Sequence, residues 1–160
     1  SILREFQGVD RRCQIIGERS GCVVISDYAH HPTEVSATLE AIESRYSDSE
    51  ILVVFEPHTL SRLAYFFSEF LSALSSSHRV YISEIFEPVK RYMNKKVKNA
   101  IAEDLAAALP LSANASFIDD DQTLVDTVVD EVKKEPGNKV VLVLGAGKAD
   151  FFARSICKLL

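Results

Sequence analysis

The feature that most constrains the fold of this chain is a regular alternation of short β-branched apolar runs with longer segments of helical periodicity. Near-continuous apolar runs are typical of strands buried on both faces of a parallel sheet. Such runs predict strands at residues 23–26, 51–55, 80–85, 116–118 and 140–144. The order of strand then helix predicts an α/β domain, with helices on both faces of a mostly parallel sheet.

Five amphipathic helices are predicted between and after these strands. The first begins at Pro32, which suits the first helical position, and carries Glu34 in its first turn. One continuous apolar stripe over residues 63–74 predicts a single second helix. Apolar residues at helical spacing predict the other three within residues 101–109, 124–132 and 152–160.

The start of the chain departs from this alternation. Residues 12–16 predict a further strand, and residues 17–21, bounded by two glycines, predict a tight turn into the next one. We therefore expect a β-hairpin whose first strand lies antiparallel at the sheet edge. The whole chain, residues 1–160, is predicted to form one domain with a sheet of about six strands.

Charge and composition exclude several function classes. The net charge of −5 argues against general nucleic-acid binding. No apolar run approaches the roughly 20 residues that span a bilayer, and no secretory signal is recognisable. The three cysteines, Cys13, Cys22 and Cys157, share no metal-type spacing and are predicted to be small apolar core residues. These features predict a cytoplasmic protein without a membrane partner or a metal centre.

A first group of candidate site residues follows the strand at residues 23–26. Asp27, Tyr28, His30 and His31 crowd a corner between that strand and the helix at Pro32, where ligands bind in open α/β sheets. The simpler interpretation is that Asp27 or His31 caps the helix, which leaves Tyr28 and His30 unexplained. A zinc site would need further ligands at unusual spacing.

A second group follows the next strand along the chain. His58 and Arg62 also come directly after a strand, so in a parallel sheet they face the same side as the first group. We expect the two strands to be neighbours, so that these residues share a cleft with Tyr28 and His30. The planar fork of Arg62 suits a phosphate or a carboxylate.

Three other segments give weaker signals. Arg11 and Arg12 follow a glycine and suit a nucleotide phosphate or ribose, or form a surface charge pair. Residues 145–148 (GAGK) fail the phosphate-loop pattern, because Leu142 stands in place of its first glycine, and they predict a close turn between strand and helix. Residues 86–98, which carry five lysines and arginines, are predicted to be the longest irregular stretch.

Four motifs of this chain together resemble the carboxyl-terminal domain of the Mur ligases. They are residues 6–12 (FQGVDRR), 27–34 (DYAHHPTE), 55–62 (FEPHTLSR) and 145–147 (GAG). They occur in the family's order over nearly the whole chain. The second and third are most similar to the branch that joins L-alanine to UDP-N-acetylmuramate.

The resemblance implies a Rossmann-like third domain of an ATP- and Mg²⁺-dependent amide ligase in peptidoglycan precursor synthesis. In that family ATP phosphorylates a carboxylate, and an amine displaces the phosphate through a tetrahedral intermediate. The UDP-binding and ATPase domains lie upstream, so the resemblance implies that these residues alone are inactive and that their partners are those domains.

The resemblance also assigns roles to individual residues. It implies that Arg12 and Asp27 lie at the nucleotide. It implies that Tyr28, His30, His31, His58 and Arg62 lie around the amino acid and the muramoyl group, with His30, His58 and Arg62 as the catalytic residues.

The motifs depart from the family pattern at three positions. Glu56, Thr59 and Lys148 stand where Gln, Arg and an acid are frequent. A glutamate at position 56 is similar to the pattern of the ligase that recycles murein tripeptide. That ligase stays an alternative. A non-catalytic nucleotide- or peptide-binding module of the same fold is another.

Overall fold

The structure is a computed structural model that describes residues 12–88, 94–134 and 137–160. The described residues form one six-stranded sheet with the strand order β1-β2-β6-β3-β4-β5. Only the β1–β2 pair is antiparallel, and the other four pairs are parallel. The strands are β1 (Gln14–Arg19), β2 (Cys22–Asp27), β3 (Glu50–Phe55), β4 (Arg79–Ser83), β5 (Ser116–Ile118) and β6 (Lys139–Leu144).

Helices cover both faces of the sheet, as the alternating sequence pattern predicts. They are α1 (Pro32–Arg45), α2 (Leu60–Tyr65), α3 (Phe67–Leu74), α4 (Lys95–Ala108), α5 (Asp121–Lys134) and α6 (Ala149–Leu159), with a short 3₁₀ helix at Leu111–Ala113.

Two hydrophobic cores, one on each face, hold the three layers together. In β3, Val53 and Phe55 enter the core that contains residues of α1, α3 and α4. Leu52 and Val54, which point the other way, enter the core that contains residues of α5 and α6. All four side chains are fully buried, which contributes about 1.5–3 kcal/mol for each. Burial on both faces explains why β3 reads as a continuous apolar run.

The hairpin at the start of the chain is confirmed, but its boundaries differ from the prediction. The turn is Ser20-Gly21, with φ angles of 54° and 75°, and not residues 17–21. Two residues with positive φ match the twist of the flanking strands. Gly17 instead lies within β1 at a shift of register, where a Cβ atom would be 2.7 Å from the sulfur of Cys157.

The single helix predicted over residues 63–74 is two helices. The break falls at Phe66, whose φ of −108° and ψ of 27° are not helical. Its ring packs edge-on against His31, with 4.7 Å between the ring centroids. The apolar stripe continues through the break, because the core needs apolar side chains from both helices, and periodicity alone therefore did not reveal it.

Two other expectations are wrong. Lys95, Lys96 and Lys98 do not lie in an irregular stretch but in α4, because the side chain of Asn94 accepts a hydrogen bond from the Lys96 N–H and caps the helix. Lys90 and Arg91 lie outside the described residues. Cys13 is exposed, whereas Cys22 and Cys157 are buried in the core as predicted.

Candidate functional site

The two groups of candidate residues meet at one edge of the sheet, where the parallel strands end. The ring centroids of His30 and His58 are 5.1 Å apart, and those of Tyr28 and His30 are 5.2 Å apart. The strands that carry them are not neighbours, contrary to the expectation, since β6 lies between β2 and β3. The loops after β2 and β3 therefore approach each other beyond the end of β6. We call Tyr28, His30, His58 and Arg62 the edge cluster.

Arg62 reaches the edge cluster from the first turn of α2. A guanidinium nitrogen, Nη1, lies 3.4 Å from Nδ1 of His58. Thr59 caps this helix, because its hydroxyl accepts a hydrogen bond from the Arg62 N–H at 3.3 Å. Thr59 has a φ of 60°, an unfavourable conformation for a β-branched residue. The strained cap and the short helix together bring Arg62 beside His58.

The surroundings of His58 perturb its pKa. Burial lowers the pKa of its imidazole below the ordinary value of 6.5, and the charges of Arg62 and His30 lower it further. Glu87 acts in the opposite direction and is outweighed. A lowered pKa keeps the imidazole neutral at pH 7, which is the form that can accept a proton.

His30 is held by the backbone and by Glu34. Its Nδ1 lies 2.9 Å from the carbonyl oxygen of Tyr28 and 3.6 Å from the Glu34 carboxylate. The Glu34 carboxylate accepts hydrogen bonds from the N–H groups of His30 and His31, both at 3.1 Å. Burial raises the pKa of Glu34, but these bonds and the nearby cations outweigh it, and the pKa falls. Glu34 therefore stays ionised and fixes the His30 backbone.

His31 caps α1, as the simpler interpretation of the sequence stated. Its Nδ1 accepts a hydrogen bond from the Thr33 N–H at 3.3 Å, and Glu34 completes a capping box. Its ring packs on Phe66 and lines a cleft between α1 and α3. The structure thus brings His30 into the edge cluster and directs His31 elsewhere.

Asp27 and Arg12, the residues expected at the nucleotide, occupy different environments. Asp27 is 5% exposed, and its two oxygens accept hydrogen bonds from the N–H groups of Cys13 and Ala29, both at 2.7 Å. The carboxylate thus joins the start of β1 to the end of β2. Arg12 is exposed, and its charge lowers the pKa of Glu34.

The structural role of Glu56 is not evident from the sequence. Glu56 is 1% exposed, and its carboxylate accepts hydrogen bonds from the N–H groups of Gly147, Lys148 and Ala149 at 2.9, 2.8 and 3.3 Å. It therefore caps the N-terminus of α6 from the end of β3. Burial raises the pKa of Glu56, and the three hydrogen bonds oppose that rise.

The glycine turn after β6 is built around this carboxylate. Gly145 has a φ of 155°, and a Cβ atom there would lie 2.8 Å from the Cβ and Oε2 atoms of Glu56. The prediction of a close turn at residues 145–148 is therefore confirmed. Two sequence signals could have revealed that Glu56 pairs with this turn: the acid directly after β3 and the two glycines of residues 145–147.

Among residues 12–88, 94–134 and 137–160, no three His, Cys, Asp or Glu side chains are placed to bind one metal ion. No helix within the same ranges is long and apolar enough to cross a membrane.

Comparison with known proteins identifies the family. Residues 11–147 match the sequence model described as Mur ligase, glutamate ligase domain. The chain belongs to the Mur ligase family. It is 37% identical over 145 residues to the UDP-N-acetylmuramate–L-alanine ligase of Carboxydothermus hydrogenoformans, a match that covers 91% of this chain and 30% of that protein. The chain thus spans about a third of the length of the Mur ligases that it matches.

Solved structures agree with the family assignment. The UDP-N-acetylmuramate–alanine ligase of Thermotoga maritima superposes with a TM-score of 0.71 at 26% identity, over 98% of this chain and 31% of that one. A domain from Haemophilus ducreyi superposes with a TM-score of 0.66 at 22% identity, over 93% of this chain and 100% of that one. That domain comes from a protein described as a UDP-N-acetylmuramate:L-alanyl-γ-D-glutamyl-diaminopimelate ligase, and the likeness shows the fold alone.

Proposed function

We propose that this chain is the domain of an ATP-dependent ligase to which the incoming amino acid binds. The full-length ligase would join L-alanine to UDP-N-acetylmuramate. The observation that carries the proposal is the edge cluster, in which His58 lies between His30 and Arg62. The 37% identity to a ligase named for L-alanine supports this substrate. The proposal concerns the full-length ligase that contains this chain.

The edge cluster can perform two tasks in such a reaction. The fork of Arg62 would donate two hydrogen bonds to a carboxylate or to the oxygens of an acyl phosphate. Neutral His58 would take the proton that the attacking amine loses. In the step itself the amine nitrogen bonds to the acyl carbon, and the carbon–oxygen bond to phosphate then breaks, with the electron pair leaving on phosphate. Tyr28 and His30 would contact the substrate beside them.

The residues proposed for the nucleotide are Arg12 and Asp27. Exposed Arg12 can donate to phosphate or ribose oxygens, whereas Asp27 would act by holding the end of β2, since both of its oxygens already accept hydrogen bonds. The family resemblance implies that the Mg²⁺ ligands lie in the upstream domains. We propose on the same ground that most of the ATP site also lies in those domains. His31 is proposed to support substrate binding indirectly, because it caps α1 and so fixes the start of that helix.

The test is a substrate panel with the full-length ligase. Purified enzyme with ATP, Mg²⁺ and UDP-N-acetylmuramate receives L-alanine or the tripeptide L-alanyl-γ-D-glutamyl-diaminopimelate, and the products are weighed by mass spectrometry. We expect the L-alanine adduct and release of phosphate. Exclusive use of the tripeptide would contradict the proposed substrate, and no product with either would support a non-catalytic binding module. The 160-residue chain alone is expected to give no product.

A further inference from the structure

Phe86, in the loop after β4, is paired through its backbone with the residues on both sides of His58. Its N–H donates to the carbonyl oxygen of Pro57 at 2.8 Å, and its carbonyl oxygen accepts from the Thr59 N–H at 2.9 Å. These two bonds form an isolated parallel bridge between His58 and Phe86 beyond the ends of β3 and β4. The backbone position of His58 is therefore set by Phe86.

The side chain of Phe86 lies between two loops of the site. Its ring is tilted by 32° against the ring of His58, with 5.7 Å between the centroids. On the other side it approaches Gly147 so closely that a Cβ atom there would be 2.3 Å from the ring. Gly147 is itself held in place, because its N–H donates to the buried carboxylate of Glu56. The ring thus fills the space between His58 and a fixed turn.

We propose that Phe86 is a positioning residue that holds the imidazole of His58 in place against the Gly147 turn. The inference rests on the proposed function, in which His58 accepts a proton. A ring held between a backbone bridge and a fixed turn has little freedom to move away from His58. Displacement of the imidazole by about 1 Å would reduce the rate by a factor on the order of 100.

The contact also excludes water from one side of His58. Removal of the ring opens that side to solvent and leaves Arg62, His30 and Glu87, the charged groups that act on His58, in place. Since burial is the largest cause of the lowered pKa of His58, Phe86→Ala should raise that pKa toward its ordinary value. Phe86→Leu retains a large apolar side chain and should therefore leave the pKa of His58 closer to its wild-type value.

The test measures the pKa of His58 by NMR titration of the histidine ring protons in the 160-residue chain. A matched control is Phe117→Ala, which removes another half-buried ring, from β5. We expect a raised pKa in Phe86→Ala, a smaller shift in Phe86→Leu and none in Phe117→Ala. An unchanged pKa in Phe86→Ala, or equal shifts in Phe86→Ala and Phe117→Ala, would overturn the proposal.

A second measurement separates positioning from stability. Gly147→Ala introduces a methyl group against the ring and should displace His58, whereas the Phe86→Ala background lacks the ring atoms that this methyl group would meet. We therefore expect Gly147→Ala to lower kcat/KM of the full-length ligase by about tenfold alone and by much less in the double variant. Equal losses in both backgrounds would contradict the proposal. Shifted His58 titration in a protein without ligase activity would instead reject the proposed function and leave the positioning role intact.

Discussion

At the scale of single residues, His58 and Arg62 carry the chemistry that we propose, and each is set by a different neighbour. Arg62 depends on the cap that Thr59 makes, and its guanidinium lies 3.4 Å from His58. His58 depends on burial and on nearby positive charge for its lowered pKa. In the proposed reaction, the rate of the ligase therefore depends on the protonation state of His58.

The first residue-scale prediction concerns the pH dependence of the ligase. In the wild-type enzyme kcat/KM should fall as the pH drops through the pKa of His58, which lies below 6.5, because the protonated ring cannot accept a proton. His58→Gln should lower kcat/KM by about 100-fold and abolish this acidic limb. His78→Gln, which alters a histidine in the separate cleft at the start of β4, is the control. An unchanged acidic limb in His58→Gln would exclude His58 as the proton acceptor.

The second residue-scale prediction concerns the ionised cap at Glu34. Its pKa is lowered in the folded state, so its charge stabilises the fold above pH 4.5 and the benefit is lost as the pH falls through the lower folded pKa. Glu34→Gln should reduce the free energy of unfolding by about 0.5 kcal/mol near neutral pH, a small value because the side chain is 40% exposed. Below the folded pKa the two proteins should be equally stable.

Urea unfolding at neutral and acidic pH measures this difference. Glu43→Gln, on the same helix, is the matched control. A difference between Glu34→Gln and wild type that persists at low pH would assign the effect to lost packing and not to charge.

At the scale of elements, the connection between β6 and α6 packs closely against Glu56. Gly145→Ala should lower the free energy of unfolding by about 2 kcal/mol or more, because the methyl group would meet Glu56 at 2.8 Å and the backbone φ is unfavourable for alanine. Gly137→Ala is the control, since its Cβ would meet no atom within 4 Å. Equal stabilities of the two variants in urea unfolding would contradict this account of the turn.

The sequence predicted most elements because burial imposes a visible pattern on each of them. Five strands were expected from apolar runs, β1 was expected at residues 12–16, and α1 was expected from Pro32 and Glu34. The break at Phe66 and the start of α4 were not expected, because a short cap and a local backbone change leave the apolar periodicity intact.

At the scale of the whole molecule, the meeting of the two loops follows from a rule about parallel sheets. Carboxyl ends of parallel strands share one edge, so His30 and His58 were expected to lie close together. The insertion of β6 between their strands was not predictable from local pattern. The cap by Glu56 was not predictable either, because Glu56 is separated in sequence by 91 to 93 positions from the residues whose N–H groups donate hydrogen bonds to it.

In the function that we propose, Arg62 serves the reaction and not the fold. The direct test measures kcat/KM and the melting temperature of Arg62→Ala on the same preparation of the full-length ligase, with Arg154→Ala on α6 as the control. We predict a loss of about 100- to 1,000-fold in kcat/KM with a melting temperature within about 2 °C of wild type. Normal activity, or a loss of activity that follows a large fall in melting temperature, would contradict the claim.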